Sequence, residues 1–488
     1  MPRYPVSSPV AVAADPVIEE EPLLENPVRV VWTLAWPAVA LNSLQVVNTL
    51  LDRGFIGHLD ASALTAHGGA TNVMFLMFSL AIALATGATA LVSRAYGAGE
   101  KREFRRASRQ SLSLAIAFGV ITAAVTALAA PLAARAILPA TDTAAINDMS
   151  SFLVAYAFGL PAVFVIQILA GSLRGIGDTK SPMVISGIQI LLHIVLNFFL
   201  IFPPRQMGSF VLPGAGMGLT GAATAFAISA LLSAGAYVAY SVRTPLGALW
   251  RVQWPQAAWA LRILRIAIPA AVMSVLRVFS LIAFTLVLAL VPNGSVAIAA
   301  MSVGFAIESI MFMPAFGLSA AAGALVGQSL GMKRPARAER LAWIAGHHAA
   351  LVTLGLALPI FLGAEGIANL MLSGKEQIID QAVTLIRYLC VTEIFFAYAM
   401  VMLGAMQGAG DTVRPMWISM IALWGLRVPL ALVLSLSAGQ QLVAGVSMPF
   451  GVGLGANGAW IAMALTQGIQ GLMAIVAFKQ GQWKHKEI

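Results

Sequence analysis

Leu173-Arg174-Gly175-Ile176-Gly177-Asp178-Thr179-Lys180-Ser181-Pro182-Met183 returns later in the chain as Met406-Gln407-Gly408-Ala409-Gly410-Asp411-Thr412-Val413-Arg414-Pro415-Met416. Gly, Gly, Asp, Thr, Pro and Met keep their places, and Asp178 and Asp411 are 233 residues apart. Ala90-Leu91-Val92 followed by Gly97 matches Ala324-Leu325-Val326 followed by Gly331 at a spacing of 234, and Gly218 to Gly221 matches Gly455 to Gly458. Three blocks at one nearly constant spacing mark a duplicated unit.

The duplicated unit is built for lipid. Of 488 residues, 59% are hydrophobic and 10% charged, and the mean hydropathy is +0.86. No ordinary water-soluble domain keeps that balance. Apolar runs long enough to cross a bilayer core of about 30 Å recur near 31–57, 63–92, 111–131, 151–171, 183–202, 217–240, 263–291, 296–326, 341–363, 383–404, 416–437 and 457–478. The runs are continuous and do not alternate with polar residues, which excludes a β-barrel. The expected fold is an all-α polytopic membrane protein, twelve transmembrane helices in two six-helix bundles.

The basic residues fall between the runs and set the orientation. With the N-terminus in the cytoplasm, 22 of the 29 lie on the cytoplasmic side and 4 outside, while Arg53, Arg277 and Arg427 sit within spans. The positive-inside rule therefore places both termini in the cytoplasm of a cell (inner) membrane protein. The net charge of +9 is a topology signal and not a nucleic-acid patch, because no aromatic-interleaved basic face accompanies it. Six spans per repeat leave both halves crossing in the same sense, so a pseudo-twofold axis runs along the membrane normal with a cleft between bundles. The expected divisions are a flexible tail over 1–29, an N-lobe over 30–242, a linker over 243–262, a C-lobe over 263–479 and a tail over 480–488. Trp250, Trp254 and Trp259 with Arg251, Arg262 and Arg265 mark the linker as interfacial. Cys390 stands alone and permits no disulfide.

Leu50 to Leu59, Leu91 to Gly99, Leu173 to Met183 and Gly218 to Thr224 together resemble the multidrug and toxic compound extrusion (MATE) family, over nearly the whole chain outside the N-terminal tail. The resemblance implies export of bulky, often cationic, amphipathic compounds against entry of H⁺ or Na⁺ by alternating access. The DinF-like branch is nearer than the NorM-like one. The seventh-span glutamate of NorM-type members falls on Arg277, and their tenth-span aspartate on Phe396. The N-lobe cation site of DinF-like relatives falls on Asp52, His193, Asn197 and Phe226, one of four residues being retained.

Asp52 is an ionisable group inside the first span, a costly placement that suits a proton carrier; the structural alternative is pairing near the interface. His193 and Asn197, four apart, share one face of their helix and can flank Asp52; the structural alternative for His193 is a helix-packing hydrogen bond. The loss of oxygen ligands disfavours Na⁺ and leaves H⁺ as the expected coupling ion. Arg277, Glu308, Glu393 and Arg427 are expected to form a C-lobe charge network, Arg277 pairing with Glu308 or Glu393, or else to meet substrate in the cleft. Gly175, Gly177, Asp178 and Pro182, with Gly408, Gly410, Asp411 and Pro415, read as structural turns in which glycine supplies positive φ and Asp or Thr caps the next helix; a direct part for either aspartate in transport is the alternative.

No cofactor or metal is expected: His347 and His348 are adjacent without further ligand spacing, no Gly-Lys-Ser/Thr P-loop is present, and no His-Glu-x-x-His supplies an enzyme. The expected partners are small-molecule substrates and the bilayer, for a monomer. A lipid-linked oligosaccharide flippase is the competing function, disfavoured because three intramembrane arginines are few for holding a diphosphate.

Overall fold

A computed structural model describes residues 26–207, 210–246, 253–372, 375–441 and 447–488. Most of the expected 1–29 tail, together with Trp250 and Arg251, lies outside them. The N-lobe is built from α1 (Pro27–Ile56), α2 (Ala61–Gly97), α3 (Lys101–Ile137), α4 (Thr143–Ala157), α5 (Leu160–Gly175), α6 (Lys180–Ile201) and α7 (Gly218–Val242). The C-lobe follows with α8 (Ala257–Leu290), α9 (Gly294–Gly331), α10 (Pro335–Leu372), α11 (Glu376–Gly408), α12 (Val413–Met420), α13 (Val428–Ser435) and α14 (Ala456–Lys479). Eleven helical segments are long and apolar enough to cross a membrane, and twelve if α4 and α5 are one span. Large apolar side chains such as Leu128, Leu132, Leu362 and Leu370 are more than 70% exposed on the outside of the bundle, a belt that water would not tolerate and lipid requires.

Three features depart from uninterrupted helices. The run 151–171, expected as one span, is bent by 48° between α4 and α5. Pro161 has no N–H to give the turn before it, and Gly159 packs at the bend against Ala227 and Phe226 of α7. The eleventh span widens into a π-helix over Ile421–Arg427 before α13, where Pro429 likewise removes a hydrogen bond from the ladder. A two-stranded hairpin, β1 (Arg205–Met207) with β2 (Phe210–Leu212), joins α6 to α7.

Both ends of the described chain emerge on one face, here the terminal face. There the lobes are stitched together. The first turns of α1 (Val30, Val31, Leu34, Ala35) belong to the C-lobe core with Ala321, Ala322 and Leu325. The first turns of α8 (Trp259, Ile263, Ile266, Ala267) belong reciprocally to the N-lobe core with Leu84, Ala85 and Ala88. The expected linker is thus already helix from Ala257, and Trp259 is a buried core residue with Arg262 over its ring at 4.5 Å, whereas Trp254 is exposed. Toward the far face the cores separate: one cluster holds Ile56, Ala66, Met149 and Phe202 of the N-lobe alone, the other Phe284, Met301, Leu385 and Trp460 of the C-lobe alone. Lobes joined at one face and parted at the other enclose a cleft that opens to the far face.

The pseudo-twofold is visible in single contacts. Gly97 lies against the backbone of Gln328, and Gly331 against the backbone of Arg94, two contacts that the 234-residue repeat interchanges. A Cβ at either glycine would overlap the opposing main chain. The repeated turns match as well: Gly177 and Gly410 have φ of 91° and 86°.

Candidate functional site

The far-face half of the N-lobe gathers a polar cluster. Asp52 lies one turn from the end of α1, and α6 packs against that turn with His193 and Asn197 one turn apart. Asn197 Nδ2 donates to Asp52 Oδ1 at 2.7 Å, and Asn48 Nδ2, one turn earlier on α1, donates to Asp52 Oδ2 at 3.2 Å. His193 Nδ1 is 3.3 Å from Asn48 Oδ1 and 3.8 Å from Asp52 Oδ1. Phe226 of α7 presents its ring edge-on to His193 at 6.1 Å and stacks on Tyr156 at 4.7 Å, an apolar wall behind the cluster. The Asp52 side chain is 23% exposed and that of His193 9%, so the carboxylate is the reachable member. Asn197 Oδ1 is buried without a partner. All four positions read from the sequence come together, and Asn48 joins them unannounced; its spacing of four before Asp52 was the available signal.

The C-lobe residues also converge, in a different arrangement from the expected one. Glu308 of α9 accepts a hydrogen bond from Gln467 Nε2 at 2.7 Å, and Thr392 of α11 donates to Gln467 Oε1 at 2.9 Å. Arg427, the last residue of the π segment, donates from Nε to Thr466 Oγ1 at 3.0 Å and lies within range for its charge to act on Glu308 and Arg277. Glu393 is fully buried with no partner for either oxygen. Among the described residues, Arg277 pairs with neither Glu308 nor Glu393, correcting the expected ion pair: Glu308 is held by a neutral amide from α14, a partner that sequence spacing does not reveal.

The repeated turns carry structure. Asp178 Oδ1 caps α6 by accepting from Ser181 N at 3.0 Å, and its Oδ2 accepts from Tyr240 of α7 at 2.8 Å. Thr179 makes no cap bond, so the cap is the aspartate's. Asp411 pairs with Arg414 at 2.5 Å. Neither aspartate reaches the polar clusters.

Two stretches, residues 37–199 and 269–433, match the MatE family model, and together they cover two thirds of the chain. These stretches correspond to the two lobes. A protein of Thermotoga maritima named "Probable multidrug resistance protein NorM" is 29% identical over 460 residues, 93% of each chain. Bacillus subtilis "Probable multidrug resistance protein YoeA" is 25% identical over 459 residues, again 93% of each. Among solved structures, a multidrug resistance MATE transporter of the MOP superfamily in its outward-facing conformation superposes with a TM-score of 0.82 at 21% identity, over 94% of this chain and 95% of that one. MATE crystallised in a straight conformation gives 0.81 at 20%, over 94% and 96%. With the duplicated helical lobes, the cleft and the matched sequence in agreement, the chain belongs to the MatE family of transporters.

Proposed function

We propose that the protein is a secondary antiporter that exports small amphipathic organic compounds in exchange for H⁺, with Asp52 as the proton carrier. The observation that carries this is the Asp52 cluster. A reachable carboxylate inside a span is held by two amides and backed by aromatic rings, and a carboxylate so placed must justify its desolvation by changing state. Asn197 suits both states. Its Nδ2 donates to the ionised carboxylate, and its partnerless Oδ1 can accept from the protonated one after the amide turns over.

A hard cation such as Na⁺ needs several converging oxygens. Here Asn48 Oδ1 faces His193, and phenylalanine stands at 226 in place of a hydroxyl. Proton exchange is favoured. By the charge rule the terminal face is cytoplasmic, so the cleft opens outward and Asp52 is reached from outside in this state. Proton uptake there, followed by rocking of the lobes, releases it inward.

Drug efflux from vesicles reconstituted with the full chain tests the proposal. An imposed pH gradient is expected to drive export and a sodium gradient alone is not; Asp52→Asn is expected to abolish the pH-driven flux. Undiminished export by Asp52→Asn would sink the assignment.

A further inference from the structure

Two arginines stand near the middle of the C-lobe spans, where the bilayer makes charge most costly. The helix carrying Arg277 and the π segment carrying Arg427 are pinned side by side. Trp424 Nε1 donates to the carbonyl of Leu276 at 2.9 Å, and Ser280 Oγ to that of Leu423 at 3.5 Å. Arg277 follows Leu276 directly, Arg427 lies three residues past Trp424, and the two guanidiniums lie within range of each other's charge. Each keeps part of its surface exposed.

Among the described residues their donors are mostly unused. Arg427 spends Nε on Thr466. Arg277 makes no hydrogen bond or ion pair among the described residues, although a guanidinium offers five donors. Like charges repel strongly where the dielectric is low. Glu308, the carboxylate on which Arg427 acts, already accepts from Gln467, and Glu393, fully buried, makes no hydrogen bond or ion pair to either guanidinium among the described residues. On Arg277 a fork of donors is left over among the described residues. Such a fork matches the geometry of a carboxylate better than that of any neutral group.

We propose that Arg277 and Arg427 form a binding site for a single negatively charged oxyanion, a carboxylate, on the exported compound. This rests on the export reading and narrows its substrate class: amphipathic compounds bearing a carboxylate are preferred over the same compounds with that group masked. A carboxylate fills such a fork with two parallel N–H···O bonds.

The dyes rhodamine 110, with a free carboxylate, and rhodamine 123, its methyl ester, share one fluorophore and isolate this group. Fluorescence anisotropy with the purified full chain is expected to show about tenfold tighter binding of rhodamine 110, the scale of one charge-assisted hydrogen bond. Arg277→Gln and Arg427→Gln should each remove most of that preference, and Arg277→Lys should keep part of it. The two glutamine variants are independent, so poor folding of one leaves the other. Equal affinity for the two dyes, no binding of either, tighter binding of the ester, or a preference that survives in both glutamine variants overturns the site. Wild-type vesicles separate this from the parent reading: failure to export rhodamine 123 under a pH gradient counts against export itself, while export of it without a carboxylate preference counts against the arginine site alone.

Discussion

Asp52 shows how a single side chain gains meaning from its neighbours. Alone it is a carboxylate in an apolar run. Beside Asn48, His193 and Asn197 it becomes a group whose two oxygens are each met by an amide donor. Asn197 is the most informative residue to change, because it touches the carboxylate directly and is almost fully buried. Asn197→Ala removes a hydrogen bond to a charged group, a loss of about 1.5–3 kcal/mol. Initial rates in reconstituted vesicles are therefore expected to fall by at least tenfold at equal protein incorporation. His193 stands farther from the carboxylate, at 3.8 Å, and contacts it chiefly through Asn48. His193→Ala should accordingly cost less than Asn197→Ala, and the reverse order in the same flux assay would make the histidine the principal partner. Aspartate, histidine and asparagine were legible from spacing and resemblance. Asn48 was not singled out: its spacing of four before Asp52 was the one signal, and its contact with His193 appears only once α6 is packed against α1.

At the scale of helices, small residues decide how closely elements approach. Gly97 and Gly331 let α2 and α9 meet backbone to backbone at the terminal face. Gly331→Ala forces a Cβ into the main chain of Arg94, and a backbone shift of that kind costs about 1–3 kcal/mol. Gly235, inside α7, has open space around it, and Gly235→Ala should be neutral or slightly stabilising because helical glycine is itself unfavourable. Thermal aggregation midpoints in detergent are expected to fall for Gly331→Ala and to hold for Gly235→Ala. Equal behaviour of the two would mean that the seam yields without cost. The broken fourth span and the π segment of the eleventh teach a related lesson. Pro161 and Pro429 are visible in the sequence, yet a proline can end, kink or widen a helix. The choice was made by Phe226 and Ala227 packing at Gly159 in one case, and by Trp424 reaching Leu276 in the other.

The whole molecule is held shut at its terminal face by more than the helix seam. Residues 480–488, expected as a simple tail, fold back as a 3-10 turn over Gln482–His485. Trp483 is buried and stacks on Phe478 at 4.7 Å, and Lys484 pairs with Glu339 at 2.6 Å, both within the C-lobe. Arg94 of α2 then donates to the carbonyl of Lys486 at 2.5 Å, and Arg262 to that of Ile488 at 3.0 Å. The segment ties α10 and α14 to α2 and α8 across the seam. Removing residues 482–488 is expected to favour the state open at the terminal face. A Ser93→Cys probe in a Cys390→Ala background, buried in the seam of the full chain, should then be labelled several times faster by a maleimide applied from the terminal side. An unchanged labelling rate would show the segment to be a passive appendage.

Composition and hydrophobic run length determined the membrane class by themselves, because burial of that much apolar surface has no aqueous solution. The 233-residue repeat likewise determined two like-oriented lobes, since an even number of crossings cannot invert the second copy. What tertiary structure alone decided are the relations between distant residues of similar chemistry. Spacing could not say whether Arg277 meets Glu308 or Glu393, because nothing along one helix reports which face of another it touches. Among the described residues the fold answers with neither, giving Glu308 to Gln467 and leaving Arg277 unpartnered within range of Arg427's charge. In the repeated block Asp178 caps a helix and Asp411 is tied to Arg414. The chemistry we propose lies away from it, at Asp52, where the two copies have diverged.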